Sequence, residues 1–273
     1  MNFDNKNIFI SGGSSGIGLA LAKKFSKEGA NITILARRES LLKSAIKEVE
    51  NSAKSKNQRF QYISANVCDF EELNSKLSKE NTDFNYLFNC AGIAYPGEFI
   101  DLDPVIFKNT IEINYLGTVY LIKLLVPRMI AQKSGHIINF SSYVALVGYY
   151  GYTAYAPSKY AIEGFSRTLR PELKPYGIDV SVVIPQDTET PQLVFERARQ
   201  PFVTKHTNEI LEKIFGSSAL ISADQAADYI FHGVEKKKFM IYFGTVGLIT
   251  SYLTPLIDKV LFRYTANLKK KSL

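Results

Sequence analysis

The stretch Asn7-Ile-Phe-Ile-Ser11-Gly12-Gly-Ser-Ser-Gly16-Ile-Gly18 decides the fold. Its first five residues are typical of a buried strand, and the residues after Gly18 have helical periodicity. Glycines between a strand and a helix let the backbone approach a pyrophosphate, which the free N–H groups of the helix N-terminus can bind. The stretch therefore predicts a dinucleotide site, and the alternative is a plain Gly/Ser turn. The residues expected to bind the cofactor here are Gly12, Ser14, Ser15, Gly16, Ile17 and Gly18.

Strand-like runs alternate with helical ones through the rest of the chain. Six further runs are predicted as strands, at residues 32–36, 60–65, 86–89, 136–140, 180–184 and 239–242. Such alternation favours a mostly parallel sheet with helices on both faces. We predict one Rossmann-like, doubly wound α/β domain with seven strands over residues 1–243, and a C-terminal extension over residues 244–273. The segment 187–207, rich in Gln, Arg and Pro, is predicted as a long loop over the substrate.

Tyr155 and Lys159 are four residues apart at the predicted start of a helix. Residues at this spacing lie on one helical face, so the phenol and the ammonium are expected to point into the same space. The positive charge is expected to lower the pKa of the phenol, which could then exchange a proton with a substrate oxygen. The alternative for this pair alone is an exposed helix face. Pro171 is expected to kink the same helix.

Three further elements accompany the glycine turn and this pair. Asn89-Cys-Ala-Gly92 follows a predicted strand, Asn114 lies in Ile-Asn-Tyr-Leu-Gly, and Ser142 precedes Tyr155 by thirteen residues. In this order the five elements resemble the classical short-chain dehydrogenase/reductase family over nearly the whole chain. The resemblance implies an oxidoreductase with the catalytic residues Ser142, Tyr155, Lys159 and Asn114.

The resemblance also implies a role for each of these residues. Tyr155 donates a proton to a ketone oxygen, and Ser142, preferred to Ser141 because of its spacing, hydrogen-bonds the same oxygen. Lys159 binds the nicotinamide ribose. Asn114 holds a water that returns the proton through Lys159, whereas without the resemblance it could be a satisfied helix asparagine.

The second predicted strand ends at Ala36 and is followed by Arg37 and Arg38. NAD enzymes place an acidic residue here for the ribose 2′-hydroxyl, whereas an arginine can pair with the 2′-phosphate of NADP. The sequence therefore favours NADPH bound through Arg37, with Arg38 as a solvated neighbour. The resemblance implies further cofactor contacts from Asn66, Val67, Asn89, Ala91, Gly92, Tyr155, Lys159, Thr188 and Thr190.

The loop Pro185-Gln-Asp-Thr-Glu-Thr-Pro191 differs from that of most family members, which begin it with Pro-Gly. It resembles the loop of the branch that reduces 3-ketodihydrosphingosine, a long-chain ketone with a cationic amino group. Asp187 or Glu189 is therefore expected to lie near the ketone. Hydroxysteroid or 3-oxoacyl reduction is the alternative within the family. A catalytically silent cofactor-binding scaffold is the alternative of a different class.

The composition bears on the remaining kinds of site. The chain has 273 residues, 46% of them hydrophobic, which is enough for one substantial core. Cys68 and Cys90 are expected to be reduced and buried rather than joined in a disulfide. The three histidines lack ligand-like spacing, so no metal site is predicted.

Charge and chain organisation bear on partners and location. The net charge of +7 is expected to reflect mainly solvated helix faces, with some attraction to an anionic cofactor or membrane. No basic patch interleaved with aromatic residues points to nucleic acid. The few residues before the first predicted strand leave no room for a leader peptide. We expect a homo-oligomer that is cytoplasmic or lies on the cytoplasmic face of a membrane, the endoplasmic reticulum in a eukaryote.

The C-terminal extension begins as an uncharged segment and ends in lysines. Gly244, Gly247 and Pro255 are expected to interrupt its first part. Apolar residues then recur at helical spacing, which predicts a helix lying in a membrane interface. The alternative is an amphipathic helix that closes a dimer interface or the substrate pocket. These apolar residues are Leu253, Leu256, Ile257, Val260, Leu261 and Tyr264.

Overall fold

The computed structural model describes residues 2–215 and 220–272, except for the side chains of 211–215, 244–251 and 271–272. Its centre is a seven-stranded sheet in the order β3-β2-β1-β4-β5-β6-β9. Each pair of neighbouring strands is parallel. All seven predicted strands are confirmed, with bounds that differ by at most two residues. They are β1 (Asn7–Ser11), β2 (Asn31–Ala36), β3 (Phe60–Ser64), β4 (Tyr86–Asn89), β5 (Gly135–Phe140), β6 (Ile178–Ile184) and β9 (Met240–Tyr242).

Helices cover both faces of this sheet and form one core on each. Successive side chains of a strand point to opposite faces, so Ile8 and Ile10 of β1 enter the first core and Phe9 enters the second. The first core lies under α1 (Gly16–Lys27), α2 (Glu39–Glu50) and α9 (Ala223–Glu235). The second lies under α3 (Phe70–Leu77), α5 (Gly117–Gln132) and α6 (Ala156–Leu173). Burial on both faces explains why the central strands are almost continuously apolar.

The strand order places a crevice at the carboxyl ends of β1 and β4. From β1 the chain moves outward through β2 and β3 and then returns to β4 on the other side of β1. The connections after β1 and β4 therefore diverge to opposite faces. In open α/β sheets a ligand binds at this reversal of strand order.

One long helical run precedes β5. Here α4 (Pro104–Ile111) continues through a π-helical turn (Glu112–Leu116) into α5. Within the described residues, the run Pro104–Gln132 is long and apolar enough to cross a membrane by length and composition. Leu121, Leu125 and Met129 are nevertheless buried in the second core, as expected for a helix packed on a sheet.

The segment predicted as a long loop, 187–207, is mostly helical, so that prediction is wrong. β7 (Thr188–Glu189) pairs with β8 (Ile221–Ser222), and α7 (Pro191–Arg199) and α8 (Phe202–Phe215) follow β7. Thr190 caps α7 by accepting a hydrogen bond from Leu193 N at 3.2 Å, and Pro191 occupies the first turn. Proline is favoured there because its missing N–H needs no partner.

The C-terminal extension is a single helix, α10 (Gly244–Ser272), that runs through Gly244, Gly247 and Pro255. The predicted interruption is therefore wrong; a helical glycine costs only about 1 kcal/mol, which packing can offset. Ile257 and Leu261 pack against a third apolar cluster that includes Leu146 and Val147.

Two further contacts hold α10 in place. Gly148 N donates to Asp258 at 2.7 Å, and Lys269 pairs with Glu98 at 2.6 Å. In α6, Pro171 lies two residues before the end of the helix, so it marks that end.

Candidate active site

The turn between β1 and α1 can accept an anion. Gly12 has a φ of 69°, and a Cβ there would lie 2.8 Å from the backbone N of Ala91. Gly16 has a φ of 55°, and a Cβ on Gly18 would overlap the carbonyl of Gly12. The Ser15 side chain makes no cap hydrogen bond, and the first turn of α1 has no acidic residue. The N–H groups and positive dipole end of α1 thus suit a pyrophosphate beside the half-buried Ser14, Ser15 and Ile17.

The carboxyl end of β2 carries a cation. Arg37 is exposed directly after Ala36, and its charge lowers the pKa of the nearby Cys68, although burial raises that pKa more strongly. Asn66 lies on the neighbouring connection, where its side chain accepts from Cys68 N at 3.2 Å, and Val67 is buried beside it. Asp69 caps α3 by accepting from Glu72 N at 2.9 Å, as expected of a helix-start residue.

The connection after β4 brings Ala91 and Gly92 to the crevice. Ala91 N donates to Ser11 Oγ at 3.3 Å, and a Cβ on Gly92 would lie 3.5 Å from Lys159 Nζ. The Asn89 side chain is buried and its Nδ2 donates to Asn139 Oδ1 at 2.8 Å, while its Oδ1 has no hydrogen-bond partner among the described residues. The cofactor contact of Asn89 stays a prediction.

Ser142, Tyr155 and Lys159 lie together at the end of β5 and the start of α6. The Ser142 hydroxyl lies beside the Tyr155 phenol and acts on its pKa, and Lys159 Nζ lies 5.6 Å from the centre of the Tyr155 ring. Lys159 is buried and donates to the carbonyl of Phe140 at 2.9 Å. Ser141 is also buried, but its hydroxyl donates to the Lys159 carbonyl, so the geometry favours Ser142 as the substrate-binding serine.

The electrostatics of the pair differ from the expectation that Lys159 controls the phenol. Burial raises the pKa of Tyr155, and the charges of Glu196 and Asp187 raise it further, while the hydrogen bond from Ser142 lowers it. Burial lowers the pKa of Lys159 to about 8. The Tyr155 phenol is therefore protonated at neutral pH and ready to donate.

Asn114 sits in the π-helical turn between α4 and α5 and is fully buried. Its Oδ1 accepts from Ile93 N at 2.8 Å, and its Nδ2 donates to the Ile93 carbonyl and to Ser158 Oγ, both at 2.9 Å. π-Helical turns are rare and frequently mark functional sites. Asn114 joins the β4 connection to the start of α6; the water that it was predicted to hold stays a prediction.

The two predicted threonines lie where the chain enters α7. Thr188 is buried and donates to the Gln186 carbonyl at 2.7 Å. Thr190 lies against the glycine turn, since a Cβ on Gly16 would be 3.0 Å from Thr190 Cγ2. Its hydroxyl accepts the α7 cap bond and keeps its proton available for a phosphate oxygen.

Glu196 of α7 is an acid beside this site that the sequence did not indicate. One carboxylate oxygen is 3.2 Å from the Tyr152 hydroxyl, and the other accepts from Gln192 Nε2 at 3.1 Å. The i, i+4 spacing of Gln192 and Glu196 could have indicated their shared helical face, but only if residues 187–207 had been predicted as helical.

The described residues contain no group of histidine, cysteine or acidic side chains that could hold a metal ion. Cys68 and Cys90 are both free. Burial raises the pKa of the Cys90 thiol well above its usual range, so the thiol is protonated and unreactive.

The sequence and the fold resemble those of known proteins. The model of the short-chain dehydrogenase family matches residues 6–200. The chain belongs to the short-chain dehydrogenase family. It is therefore an oxidoreductase, and the glycine turn, Gly92 and Lys159 fit the nicotinamide dinucleotide that family members use.

Two relatives and one solved structure extend this comparison. A 3-dehydrosphinganine reductase of Danio rerio is 34% identical over 93% of this chain and 76% of that protein. A 3-ketodihydrosphingosine reductase of Bos taurus is 32% identical over 91% of this chain and 74% of that protein. A short-chain dehydrogenase/reductase from Burkholderia phymatum in complex with NAD has a TM-score of 0.79 at 21% identity, covering 93% of this chain and 94% of that one. The structure supports the fold, and the two relatives support a narrower assignment.

Proposed function

We propose that this enzyme reduces 3-ketodihydrosphingosine to dihydrosphingosine in sphingolipid synthesis, with NADPH as the reductant. The observation that carries the proposal is the likeness to 3-ketodihydrosphingosine reductases over about nine-tenths of the chain. The grouping of Ser142, Tyr155 and Lys159 in one crevice supplies the chemistry of ketone reduction.

The bound nicotinamide supplies a hydride to the ketone carbon. Tyr155 gives its proton to the ketone oxygen, and its raised pKa keeps that proton in place at neutral pH. Ser142 hydrogen-bonds the same oxygen and stabilises the negative charge that develops on it. Lys159 holds its ammonium 5.6 Å from the centre of the Tyr155 ring, where it would bind the nicotinamide ribose. A tyrosine that stays protonated suits reduction better than oxidation of an alcohol.

The preference for NADPH rests on Arg37. Its guanidinium is exposed at the carboxyl end of β2, where we expect the adenosine ribose of a dinucleotide to bind. Ala36 precedes it, so the position of the acid that binds a 2′-hydroxyl in NAD enzymes carries no charge. A planar cation can bind a 2′-phosphate through two parallel hydrogen bonds.

We further propose that α10 lies on an anionic membrane surface, on the cytoplasmic side. Tyr252, Leu256 and Val260 expose 78%, 60% and 59% of their surface, on a face of α10 that adjoins the packed face of Ile257 and Leu261. Exposed basic side chains, including Lys259 and Arg263, flank this apolar stripe. A long-chain substrate would reach the enzyme from such a surface. Assembly into a homo-oligomer stays a prediction, which light scattering of the purified protein would test.

A competition assay tests the substrate. Purified enzyme with NADPH receives 3-ketodihydrosphingosine, a 3-oxoacyl thioester and a ketosteroid together, and the products are separated and measured. We expect the aminoketone to be reduced with the highest kcat/KM. A clear preference for the thioester or the steroid would refute this substrate and leave the catalytic residues standing. Absence of any ketone-dependent NADPH oxidation would favour a silent scaffold.

A further inference from the structure

Glu196 is a carboxylate at the active site without a cationic partner. It forms no salt bridge with any residue in the described part of the chain, although Lys159 acts on it from a distance. Its two oxygens have neutral partners, the Tyr152 hydroxyl at 3.2 Å and Gln192 Nε2 at 3.1 Å. A half-buried carboxylate normally acquires a cation, because an unpaired charge away from water is costly.

The surrounding contacts fix Glu196 relative to the reacting atoms. The buried Tyr152 packs beside Tyr155 with ring centres 6.1 Å apart and ring planes tilted by 57°, and Gln200 Nε2 donates to the Tyr152 hydroxyl at 2.9 Å. Gln192 also donates to the Ala94 carbonyl at 3.0 Å, which ties α7 to the connection after β4. The Glu196 charge acts on both Tyr155 and Lys159. The carboxylate therefore lies one aromatic ring away from the proton donor.

We infer that Glu196 is the residue that selects the cationic amino group of the substrate. The inference rests on the proposed function, because the amino group of 3-ketodihydrosphingosine is on the carbon next to its ketone. When Tyr155 and Ser142 hold the ketone oxygen, that amino nitrogen lies two bonds from the reacting carbon and close to Glu196. The ammonium supplies the charge that the carboxylate lacks.

Glu196 takes the place of Asp187 or Glu189, one of which was expected from the sequence to lie near the ketone. Asp187 is exposed, and its charge also raises the pKa of Tyr155, Tyr152 and Glu196, so it adds to the negative potential. Solvent screens such an exposed charge more strongly than one in the crevice. Glu189 is exposed on β7. Glu196 is therefore the stronger determinant.

Binding of the amine also removes an electrostatic cost. Burial raises the pKa of Glu196 to about 6, and the charge of Asp187 contributes. The same negative charges oppose formation of the Tyr155 phenolate. A bound ammonium neutralises them and makes proton transfer easier, so an aminoketone benefits in kcat as well as in KM.

The test compares Glu196→Gln with wild type on two ketones, 3-ketodihydrosphingosine and the same long-chain ketone lacking the amino group. Gln keeps the size and hydrogen-bonding capacity while removing the charge. We expect kcat/KM for the aminoketone to fall about 10- to 100-fold, the range of a hydrogen bond to a charged group. The value for the ketone without the amino group should stay within about twofold. Glu189→Gln is the matched control and should leave both values unchanged.

Two further measurements exclude a merely structural role. KM for the aminoketone in wild type should rise as pH falls through about 6, where Glu196 becomes protonated, and this rise should be absent in the variant. Asp187→Asn should move the midpoint of this rise to lower pH, because the charge of Asp187 raises the pKa of Glu196. Lys159 stays charged and Tyr152 stays neutral over this range, because their pKa values lie above it.

The thermal stability of Glu196→Gln is an independent test of the inference. The folded pKa of Glu196 lies above its ordinary value of 4.5, so folding stability from this group is present below about pH 4.5 and is lost as pH rises through about 6. Glu196→Gln should therefore raise Tm at pH 7, whereas loss of a purely structural carboxylate would lower it.

The outcomes separate the inference from the proposed function. Equal losses on both ketones, or no loss on either, would overturn the role of Glu196. If wild type fails to reduce the aminoketone but reduces the other substrates of the competition assay, the proposed function is wrong and the inference fails with it.

Discussion

Tyr155 and Tyr160 lie on the same helix in opposite environments. Tyr155 contacts Ser142 and Lys159, whereas Tyr160 exposes 48% of its surface. Tyr155→Phe removes the proton donor and little volume, so turnover should fall by about 10²- to 10⁴-fold, the usual contribution of general acid catalysis. NADPH binding, measured by fluorescence titration, should persist. Tyr160→Phe should retain wild-type turnover, and near-normal turnover in Tyr155→Phe would contradict the assignment.

Arg37 determines the cofactor in our proposal. Arg37→Asp removes the partner of the 2′-phosphate and adds repulsion, so the ratio of kcat/KM for NADPH to that for NADH should fall at least about 100-fold. The comparison uses steady-state rates with each cofactor and one ketone. Arg38→Asp changes charge equally at the neighbouring residue and should have a smaller effect. An unchanged NADPH preference in the Arg37 variant would move the discriminating charge to Arg38.

At the scale of single residues, the catalytic residues at the ends of predicted strands and the starts of predicted helices could be predicted. The spacing of Ser142, Tyr155 and Lys159 follows from β5 and α6, and the structure brings the three together. Glu196 was missed because its role depends on how α7 packs against Tyr152 and Ala94, which are distant in sequence. Carboxylates that are distant in sequence raise the pKa of Tyr155, and this effect cannot be predicted from the spacing of residues along one helix.

Helix α7 connects the glycine turn to the substrate side of the crevice. Thr190 caps it and lies against Gly16, while Glu196 lies further along the helix. Thr190→Ala should destabilise the start of α7 by about 1 kcal/mol. Because α7 contacts both the glycine turn and the substrate side of the crevice, KM for NADPH and KM for the ketone should each rise about fivefold.

A second helix cap provides the control for this change. Ser222 caps α9 through a capping box with Gln225, at 3.1 Å and 2.9 Å. Ser222 lies beside Glu189 of β7, but the helix that it caps packs on the first core and carries none of the candidate site residues. Ser222→Ala should lower Tm by a similar amount and leave both KM values at wild-type levels. Equal changes in KM for the two variants would mean that general stability, and not the position of α7, sets them.

The strands were predictable because each is a short apolar run bounded by polar or glycine residues. The helices after β6 were not, because Gln, Arg and Pro in residues 187–207 suggest a loop. α7 spans only nine residues and buries none of them fully, so the apolar periodicity that indicates a core helix is short. Thr190, Pro191 and packing against the β4 connection hold it in place.

For the whole molecule, the parallel sheet and its crevice follow from the alternation of strands and helices, whereas the position of α10 does not. α10 packs Ile257 and Leu261 beside the connection after β5 and is joined to it through Gly148 and Asp258. Lys269 near its end pairs with Glu98 on the connection after β4. These long-range contacts bring the helix to the same side of the molecule as the catalytic residues.

The position of α10 predicts that the enzyme binds a lipid surface. In vesicle co-sedimentation, wild type should bind vesicles of phosphatidylcholine with phosphatidylserine, and less so at high salt, because the basic side chains beside the stripe are screened. The double variant Leu256→Glu, Val260→Glu should sediment at a small fraction of the wild-type level while retaining turnover on a soluble short-chain ketone. Tyr176→Glu, which alters an equally accessible aromatic residue at the amino end of β6, should bind as wild type does. If the double variant still binds vesicles fully, α10 contacts something other than a membrane, with a second copy of the chain the first to test by light scattering.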